Sequence, residues 1–249
     1  MAHVNIHNHR VVLNNPVFVD GLAGLGLVGK LATDHLVEGY EMTRYASVEC
    51  PGLPSVAAYK RGDYATRPPV RIYADETRNL LALQSDVPVS PQVVGDFAAC
   101  LTGLLVEHNA LPVYVTGRPV ETEGPPEDRS LFGVATGGAG RLLEEVGIDP
   151  PTEDGVWRGP TGALLETARN RGIDALGLVV EANRQGPDPE AAFAVLERGI
   201  APIAGIEPPA DGLRARAAEI RDEEQELADR MLDPAGNESS KAEPLRMYQ

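Results

Sequence analysis

The chain has 249 residues, of which 43% are hydrophobic, so it is long enough and apolar enough to form a sizeable globular domain rather than a disordered chain. Its formal net charge is -15. Nucleic acids and anionic membranes are bound by basic surfaces, so this charge argues against both as partners.

The first predicted elements are a strand, a glycine-rich turn and a helix. The strand covers residues 16–20, and Gly24, Gly26 and Gly29 follow it at the G-x-G-x-x-G spacing of dinucleotide-binding proteins. Such a site also needs an acidic residue after the next strand to bind the ribose, and Glu49 stands at a tolerable offset. The preferred interpretation is a tight strand-to-helix turn with close packing, or a subunit contact; an anion-binding loop is the alternative, and no cofactor is predicted.

Lys30 follows these glycines, as a lysine does in a phosphate-binding loop. The gap between the glycines is wrong for that loop, and Leu31 stands where Ser or Thr would hold Mg²⁺. We therefore expect no ATP hydrolysis and place Lys30 on the surface near the start of the helix.

Strand-like and helix-like segments alternate through residues 1–208. Short β-rich runs occupy residues 41–86. A long helix is expected to follow, with Ser90 as its N-cap and Pro91 at its first position. This alternation predicts one three-layer α/β domain.

The second half of the domain continues the pattern. Apolar runs at residues 111–117 and 131–138 suit strands that are covered on both faces. Two helices then lead to the strongest buried-strand signal, at residues 175–183. Asp188 as N-cap and Pro189 at the first position predict another helix directly after it.

Two further patterns are weak indications of a metal site and of an anion site. His3, His7 and His9 alternate at strand spacing and could chelate a metal, although an edge or terminal segment is the preferred interpretation. The cluster from Thr136 to Gly140 opens a helix and could bind an anion through backbone N–H groups, or form a plain turn. No catalytic, cofactor or metal residues are predicted.

The composition changes after residue 208. Residues 209–232 are predicted as an amphipathic helix, because apolar side chains recur there at alternating four- and three-residue steps. Residues 233–249 have the polar, Gly-, Pro- and Ser-containing character of a flexible tail. The tail nevertheless ends in Met247, Tyr248 and Gln249. An aromatic ring in that place is left in water unless it docks, so the ending indicates a partner.

Three segments, taken in order, resemble the proteasome assembly chaperone family of archaea and actinobacteria. They are "GLAGLGLVG" at residues 21–29, "GPTGALLE" at residues 159–166 and "EANRQGPDPEAAFAVLE" at residues 181–197. The resemblance covers residues 16–206. It implies a nucleoside-phosphorylase-like α/β fold, a homo-oligomer (a ring, or a tetramer to pentamer), and a non-enzymatic role as assembly chaperone or ATP-independent activator of the core proteasome.

Members of that system often end in a hydrophobic residue, Tyr and any residue, which insert between α-subunits of the core proteasome. Met247, Tyr248 and Gln249 match this motif at the required place. The resemblance implies that the Tyr248 ring fills a pocket and that the Gln249 carboxylate meets a cation of the partner. The alternative is an enzyme that uses the loop from Gly24 to Gly29, either a nucleoside-phosphorylase-like transferase or a nucleotide-dependent oxidoreductase.

The sequence also predicts the cellular compartment and the source organism of the protein. No stretch approaches the ~20 apolar residues of a membrane span, and the first residues contain no signal-peptide core. Cys50 and Cys100 form no disulfide framework, so we expect a cytoplasmic protein. Only three lysines and a large acidic excess resemble the proteins of salt-loving archaea and predict a halophilic archaeal source, and the alternative is a GC-rich genome with an acidic proteome.

Overall fold

The fold is built on an eight-stranded sheet with helices on both faces. In this computed structural model, residues 2–59, 62–119, 129–184 and 186–209 are described. The strand order is β1-β3-β6-β7-β2-β8-β10-β9. The strands of the main sheet are β1 His3–Ile6, β2 Val17–Val19, β3 Thr43–Glu49, β6 Val70–Asp75, β7 Leu80–Ser85, β8 Leu111–Pro119, β9 Leu131–Thr136 and β10 Ala175–Ala182. Two short strands, β4 Ala58–Tyr59 and β5 Thr66–Arg67, form a separate hairpin.

The centre of the sheet is parallel and its flanks are antiparallel. Strand β2 pairs in parallel with β7 and β8, and β8 pairs in parallel with β10. Strands β1, β3 and β6 extend the β7 side in antiparallel fashion, and β9 closes the other side, antiparallel to β10. The carboxyl ends of β7, β2, β8 and β10 therefore lie at one edge of the sheet, where open α/β folds hold their ligands.

Two helical layers cover the sheet. The helices are α1 Val28–Gly39, α2 Val94–Glu107, α3 Gly140–Glu145, α4 Gly159–Asn170, α5 Pro189–Val195 and α6 Ala201–Ala204, and a π-helical turn, Leu196–Ile200, joins the last two. The core of one face contains side chains of α1, α3, α5 and α6, such as Leu36 and Val195. The opposite core contains side chains of α2 and α4, such as Leu101 and Leu164. This arrangement confirms the predicted three-layer α/β class.

Two local expectations were wrong. Helix α2 begins at Val94, because the carbonyl of Ser90 accepts the N–H groups of Val93 and Val94 at 3.1 Å and closes a separate turn first. Strand β9 is not covered like a central strand, since it forms the edge of the sheet and leaves Ala135 exposed.

The described residues end at 209, so the predicted helix 209–232, apart from its first residue, and the tail 233–249 lie outside them, and the domain boundary at 208 stays a prediction. None of the helices within the described ranges is both long and apolar enough to cross a membrane.

Candidate functional site

The glycine-rich loop lies at the carboxyl edge of the sheet and connects β2 to α1. Gly26 has φ of +65°, inside a short 3-10 turn, Leu25–Leu27. A Cβ atom at Gly26 would stand 2.9 Å from the Cβ of Ala182 and 3.1 Å from the Cβ of Asp188. Gly26 therefore meets both requirements for glycine, a left-handed backbone and a close neighbour.

The two other glycines of the motif also face the protein itself. A Cβ at Gly29 would lie 2.9 Å from the carbonyl oxygen of Asp20, and one at Gly24 would lie 3.5 Å from Oγ1 of Thr116. Gly117 on β8 completes the fit, because a Cβ there would lie 2.6 Å from the Leu25 carbonyl oxygen. The space that a pyrophosphate would need beside Gly26 is filled by Ala182 and Asp188, whereas Gly29 provides the close helix–strand packing that the motif has in either kind of loop.

Asp188, at the start of α5, joins this helix to the loop and also forms a buried ion pair. The N–H of Asp188 donates to the Gly26 carbonyl at 2.7 Å, and the Asp188 carboxylate accepts from the N–H of Ala191, as an N-cap does. The other carboxylate oxygen accepts from the N–H of Asn183 and lies 3.2 Å from Nη2 of Arg129. Both charged side chains are 4% exposed. The predicted N-cap is confirmed, whereas Arg129 was missed because its partner is distant in sequence.

Asp20, just after β2, is an acid of this edge whose pKa is strongly raised. It is fully buried; its Oδ1 accepts from the N–H of Leu22 at 2.9 Å, and within the described residues its Oδ2 makes no hydrogen bond of ordinary geometry. Burial raises the pKa of Asp20 to about 7, against the smaller lowering effects of the Leu22 N–H and the Thr161 hydroxyl. Asp20 is therefore largely protonated below neutral pH.

The Asp20 carboxyl influences a second buried group, the hydroxyl of Tyr114 on β8. Burial and the negative charge of Asp20 raise the pKa of Tyr114, and the Thr102 hydroxyl of α2 lowers it to a smaller extent. Both hydroxyls are buried within the core. This cluster lies under the loop, between the sheet and helices α2 and α4, rather than in an open cleft.

The outer rim of the same edge carries paired charges. Arg118 on β8 stands opposite Glu181 on β10, and their Nη2 and Oε1 atoms are 2.8 Å apart. Burial raises the pKa of Glu181, but Arg118 and the N–H of Ser130 more than offset it, so that this pKa is lowered overall. Glu153 lies 3.1 Å from the other Arg118 nitrogen. Parallel register explains this pairing, which sequence reasoning did not identify.

The ribose-binding hypothesis for Glu49 is wrong. Strand β3, which ends at Glu49, is separated from β2 by β6 and β7. Its carboxylate instead accepts a hydrogen bond from Asn5 at 2.6 Å and lies 3.3 Å from Nε2 of His3. Glu49 is therefore not beside this loop.

The expected surface position of Lys30 is also wrong. Its side chain is 6% exposed, and its Nζ donates to Asp34, one turn later in α1, at 2.9 Å. Gln84 on β7 donates to the other Asp34 oxygen at 2.9 Å. Lys30 is buried because the face of α1 that it occupies packs on a polar part of the sheet.

The glycine turn, His3 and His7 have partners of their own, and His9 is exposed in the turn after β1. In the Thr136 to Gly140 turn, the N–H of Gly138 donates to the Asp174 carboxylate at 2.7 Å, so a side chain already occupies the anion position. His3 lies on the edge strand β1 and His7 contacts Oγ of Ser47 at 2.8 Å. Within the described ranges, no cluster of three His, Cys, Asp or Glu is placed to hold a metal.

Met247, Tyr248 and Gln249, the predicted partner-binding residues, lie outside the described residues. Their role stays a prediction.

Comparisons with known proteins identify relatives over most of the chain. The Methanocaldococcus jannaschii protein MJ0106 is 26% identical over 193 residues, 77% of each chain. Among solved structures, Pyrococcus furiosus PbaA, described as an archaeal homolog of proteasome-assembly chaperone, superposes with a TM-score of 0.78 at 22% identity, over 93% of this chain and 98% of that one. Pyrococcus furiosus PbaB, described as an archaeal proteasome activator, gives a TM-score of 0.75 at 23% identity, over 91% and 98%.

These structural similarities confirm the fold. The family to which the chain belongs follows from a match to a family model. The model of the PAC2 family matches residues 18–228, a span that contains the glycine-rich loop, the buried Arg129–Asp188 pair and helix α4. The chain belongs to the PAC2 family.

Proposed function

We propose that this chain is a proteasome-associated assembly chaperone or ATP-independent activator that acts through binding. The observation that carries the proposal is membership of the PAC2 family, together with the shared fold of PbaA and PbaB. The glycine-rich loop supports a role other than nucleotide binding, because Gly26, the glycine that a pyrophosphate would approach, is packed against Ala182 and Asp188.

The proposed contact with the core proteasome is made by Met247, Tyr248 and Gln249. The ring of Tyr248 fills a pocket between two α-subunits, and Met247 packs beside it. Residues 233–246 would reach ~50 Å if fully extended and ~20 Å as a flexible coil, enough to cross the surface of a partner.

The proposed assembly is a homo-oligomer. One short tail buries little surface and binds weakly. Several tails carried by one oligomer bind at high effective concentration, so the complex gains affinity without any new contact. The proposed partners are therefore the α-subunits of the core proteasome and further copies of this chain.

Co-sedimentation with a core proteasome from the same source tests the tail. We expect the full chain to sediment with the proteasome, and both a chain truncated after Arg246 and a Tyr248→Ala variant to remain in the supernatant. Tyr248→Phe is the matched control, because it keeps the ring and should retain binding. Undiminished binding by the truncated chain would contradict the tail mechanism.

Two assays on the same complex separate chaperone from activator. An activator accelerates hydrolysis of a fluorogenic peptide by mature core particles, and the acceleration should disappear with Tyr248→Ala. An assembly chaperone leaves that rate unchanged and accelerates the formation of core particles from separate α- and β-subunits. Absence of both effects would contradict the proposed function.

A further inference from the structure

A row of polar side chains crosses the core between the sheet and helices α2 and α4. In the parallel pair of β2 and β8, Val19 stands opposite Val113, and the N–H of Asp20 donates to the Val113 carbonyl at 3.1 Å. The next pair in this register is Asp20 and Tyr114, and Tyr114 belongs to the core beneath α2 and α4. Neighbouring strands lie about 4.8 Å apart and opposite residues point to the same face, so the carboxyl group and the phenol ring are side by side.

Helices α2 and α4 each bring a hydroxyl group to this pair. Thr102 lies on α2 and Thr161 lies in the first turn of α4, and neither residue is more than 5% exposed. The Thr102 hydroxyl is close enough to Tyr114 to counteract the rise in the pKa of that phenol, and the Thr161 hydroxyl acts in the same way on the pKa of Asp20. We call Asp20, Tyr114, Thr102 and Thr161 the Asp20 cluster.

Three polar atoms of the Asp20 cluster have unused hydrogen-bonding capacity. They are Oδ2 of Asp20, the hydroxyl oxygen of Tyr114 and Oγ1 of Thr102. Within the described residues none of them makes a hydrogen bond of ordinary geometry, although all three are sealed from solvent. Buried polar groups in proteins are almost always hydrogen-bonded, either to protein atoms or to an internal water. Three such atoms in one cluster therefore indicate that a polar ligand lies among them.

The neighbours of the cluster on both sides of the row are apolar. On one side, β7 places the fully buried Leu83 next to Asp20. On the other side, β10 places Gly177 next to Tyr114, and a Cβ at Gly177 would lie 2.3 Å from Cζ3 of Trp157, so the indole ring takes the place of a side chain there. The ligand is therefore small and is enclosed by protein.

The number of unused partners distinguishes a water molecule from a metal ion. A buried water makes about three hydrogen bonds, whereas Ca²⁺ and Mg²⁺ take at least about six oxygen ligands. Burial is the largest influence on the pKa of Asp20, so its carboxyl group is largely neutral below pH 7 and attracts a cation weakly. The Asp20 cluster thus has the partner number and the charge that suit water.

We propose that the Asp20 cluster binds an internal water molecule, which bridges Oδ2 of Asp20, the Tyr114 hydroxyl and the Thr102 hydroxyl. The water accepts a hydrogen bond from the neutral Asp20 carboxyl group and donates to the two hydroxyl oxygens. It thereby links the sheet to α2.

The bound water also positions the start of the glycine-rich loop. The Oδ1 atom of Asp20 accepts from the N–H of Leu22 at 2.9 Å, so a partner at Oδ2 fixes the orientation of a carboxyl group that supports the loop backbone. This role concerns the interior of one chain and is independent of the proposed binding to the proteasome.

Oxygen-17 magnetic relaxation dispersion of the full chain tests the site, because it counts water molecules that stay bound while the protein tumbles. The test variant is Thr102→Val with Tyr114→Phe, which removes two of the three partners and nearly keeps the side-chain volume. We expect it to hold one long-lived water fewer than the wild type. Thr33→Val is the matched control, since the buried Thr33 hydroxyl already donates to the Gly29 carbonyl at 2.7 Å; the number of waters should not change.

A crystal structure of the wild type locates the ligand. We expect one electron-density peak within about 2.6–3.2 Å of all three unused atoms, and no peak at that place in the test variant. Crystals soaked in rubidium chloride identify a cation, because Rb⁺ scatters anomalously and water does not.

Three outcomes would overturn the water site. They are equal numbers of long-lived waters in the wild type and the test variant, direct hydrogen bonds among the three atoms with no peak between them, and an anomalous rubidium peak at the site. If the double variant does not fold, Thr102→Val alone and the wild-type crystal decide. Each of these outcomes leaves co-sedimentation with the proteasome unaffected, so this inference and the proposed function fail separately.

Discussion

At the scale of single residues, the buried carboxyl of Asp20 makes stability depend on pH. Its pKa is about 7 in the folded protein against 3.8 for the free side chain, so the folded state holds the proton more tightly. This contribution is fully present below pH 3.8 and is lost as the pH rises toward about 7. Asn at this position keeps an acceptor for the Leu22 N–H and has no proton to lose.

We therefore expect Asp20→Asn to gain stability relative to the wild type as the pH rises from 4 to 7. Each pKa unit corresponds to about 1.4 kcal/mol, so the difference in unfolding free energy should change by roughly 3–4 kcal/mol over this range. Urea titrations of both proteins at several pH values measure it. A difference that does not vary with pH would show that Asp20 is ionised in the folded state.

Gly26 gives a second prediction at this scale. We expect Gly26→Ala to cost about 2–4 kcal/mol of unfolding free energy, since it combines a positive φ with contacts under 3.2 Å to Ala182 and Asp188. Gly103→Ala is the matched control, because a Cβ there, inside α2, meets open space and should stabilise by about 0.5–1 kcal/mol. Similar urea midpoints for the two variants would contradict the packing role of the loop.

At the scale of elements, the Arg129–Asp188 pair holds the segment before β9, the N-terminus of α5 and the glycine-rich loop together. Asp188→Asn keeps the N-cap acceptor but leaves Arg129 buried without its counter-charge, so we expect a cost of about 3–5 kcal/mol. Adding Arg129→Met should recover at least half of that loss. A double-mutant cycle measures the coupling, and strictly additive losses would mean that the pair contributes nothing.

The same elements show what could be predicted from the sequence. Apolar runs predicted β8 and β10, and the Asp188–Pro189 pair predicted the start of α5, because these signals are local. Neighbours in the sheet are not local, so the edge position of β9 and the distance of Glu49 from the glycine-rich loop were missed. The burial of Lys30 was missed for the same reason. Its partner Asp34 is close in sequence, but Gln84, which donates a hydrogen bond to Asp34 at this buried position, lies on another element.

At the scale of the whole molecule, the chain has 37 Asp and Glu residues but only 22 Lys and Arg residues. Repulsion among the excess negative charges therefore destabilises the folded state. Raising KCl from 0.1 M to 1 M shortens the Debye length from about 10 Å to about 3 Å and weakens this repulsion. We therefore expect the thermal midpoint to rise, by about 2–4 °C for each kcal/mol gained. Differential scanning calorimetry measures it, and a midpoint that is constant or falls with salt would contradict the expectation.

The position of β2 has a consequence for how the molecule is made. This strand of three residues, near the N-terminus, lies at the centre of the sheet and pairs with β7 on one side and β8 on the other, where Val19 stands opposite Val113. A ribosome delivers the chain from the N-terminus, so both edges of β2 stay open while the next several dozen residues are synthesised. The centre of the sheet can close only after residue 113 has left the exit tunnel, and pausing of translation before that point would prolong the life of an aggregation-prone nascent chain.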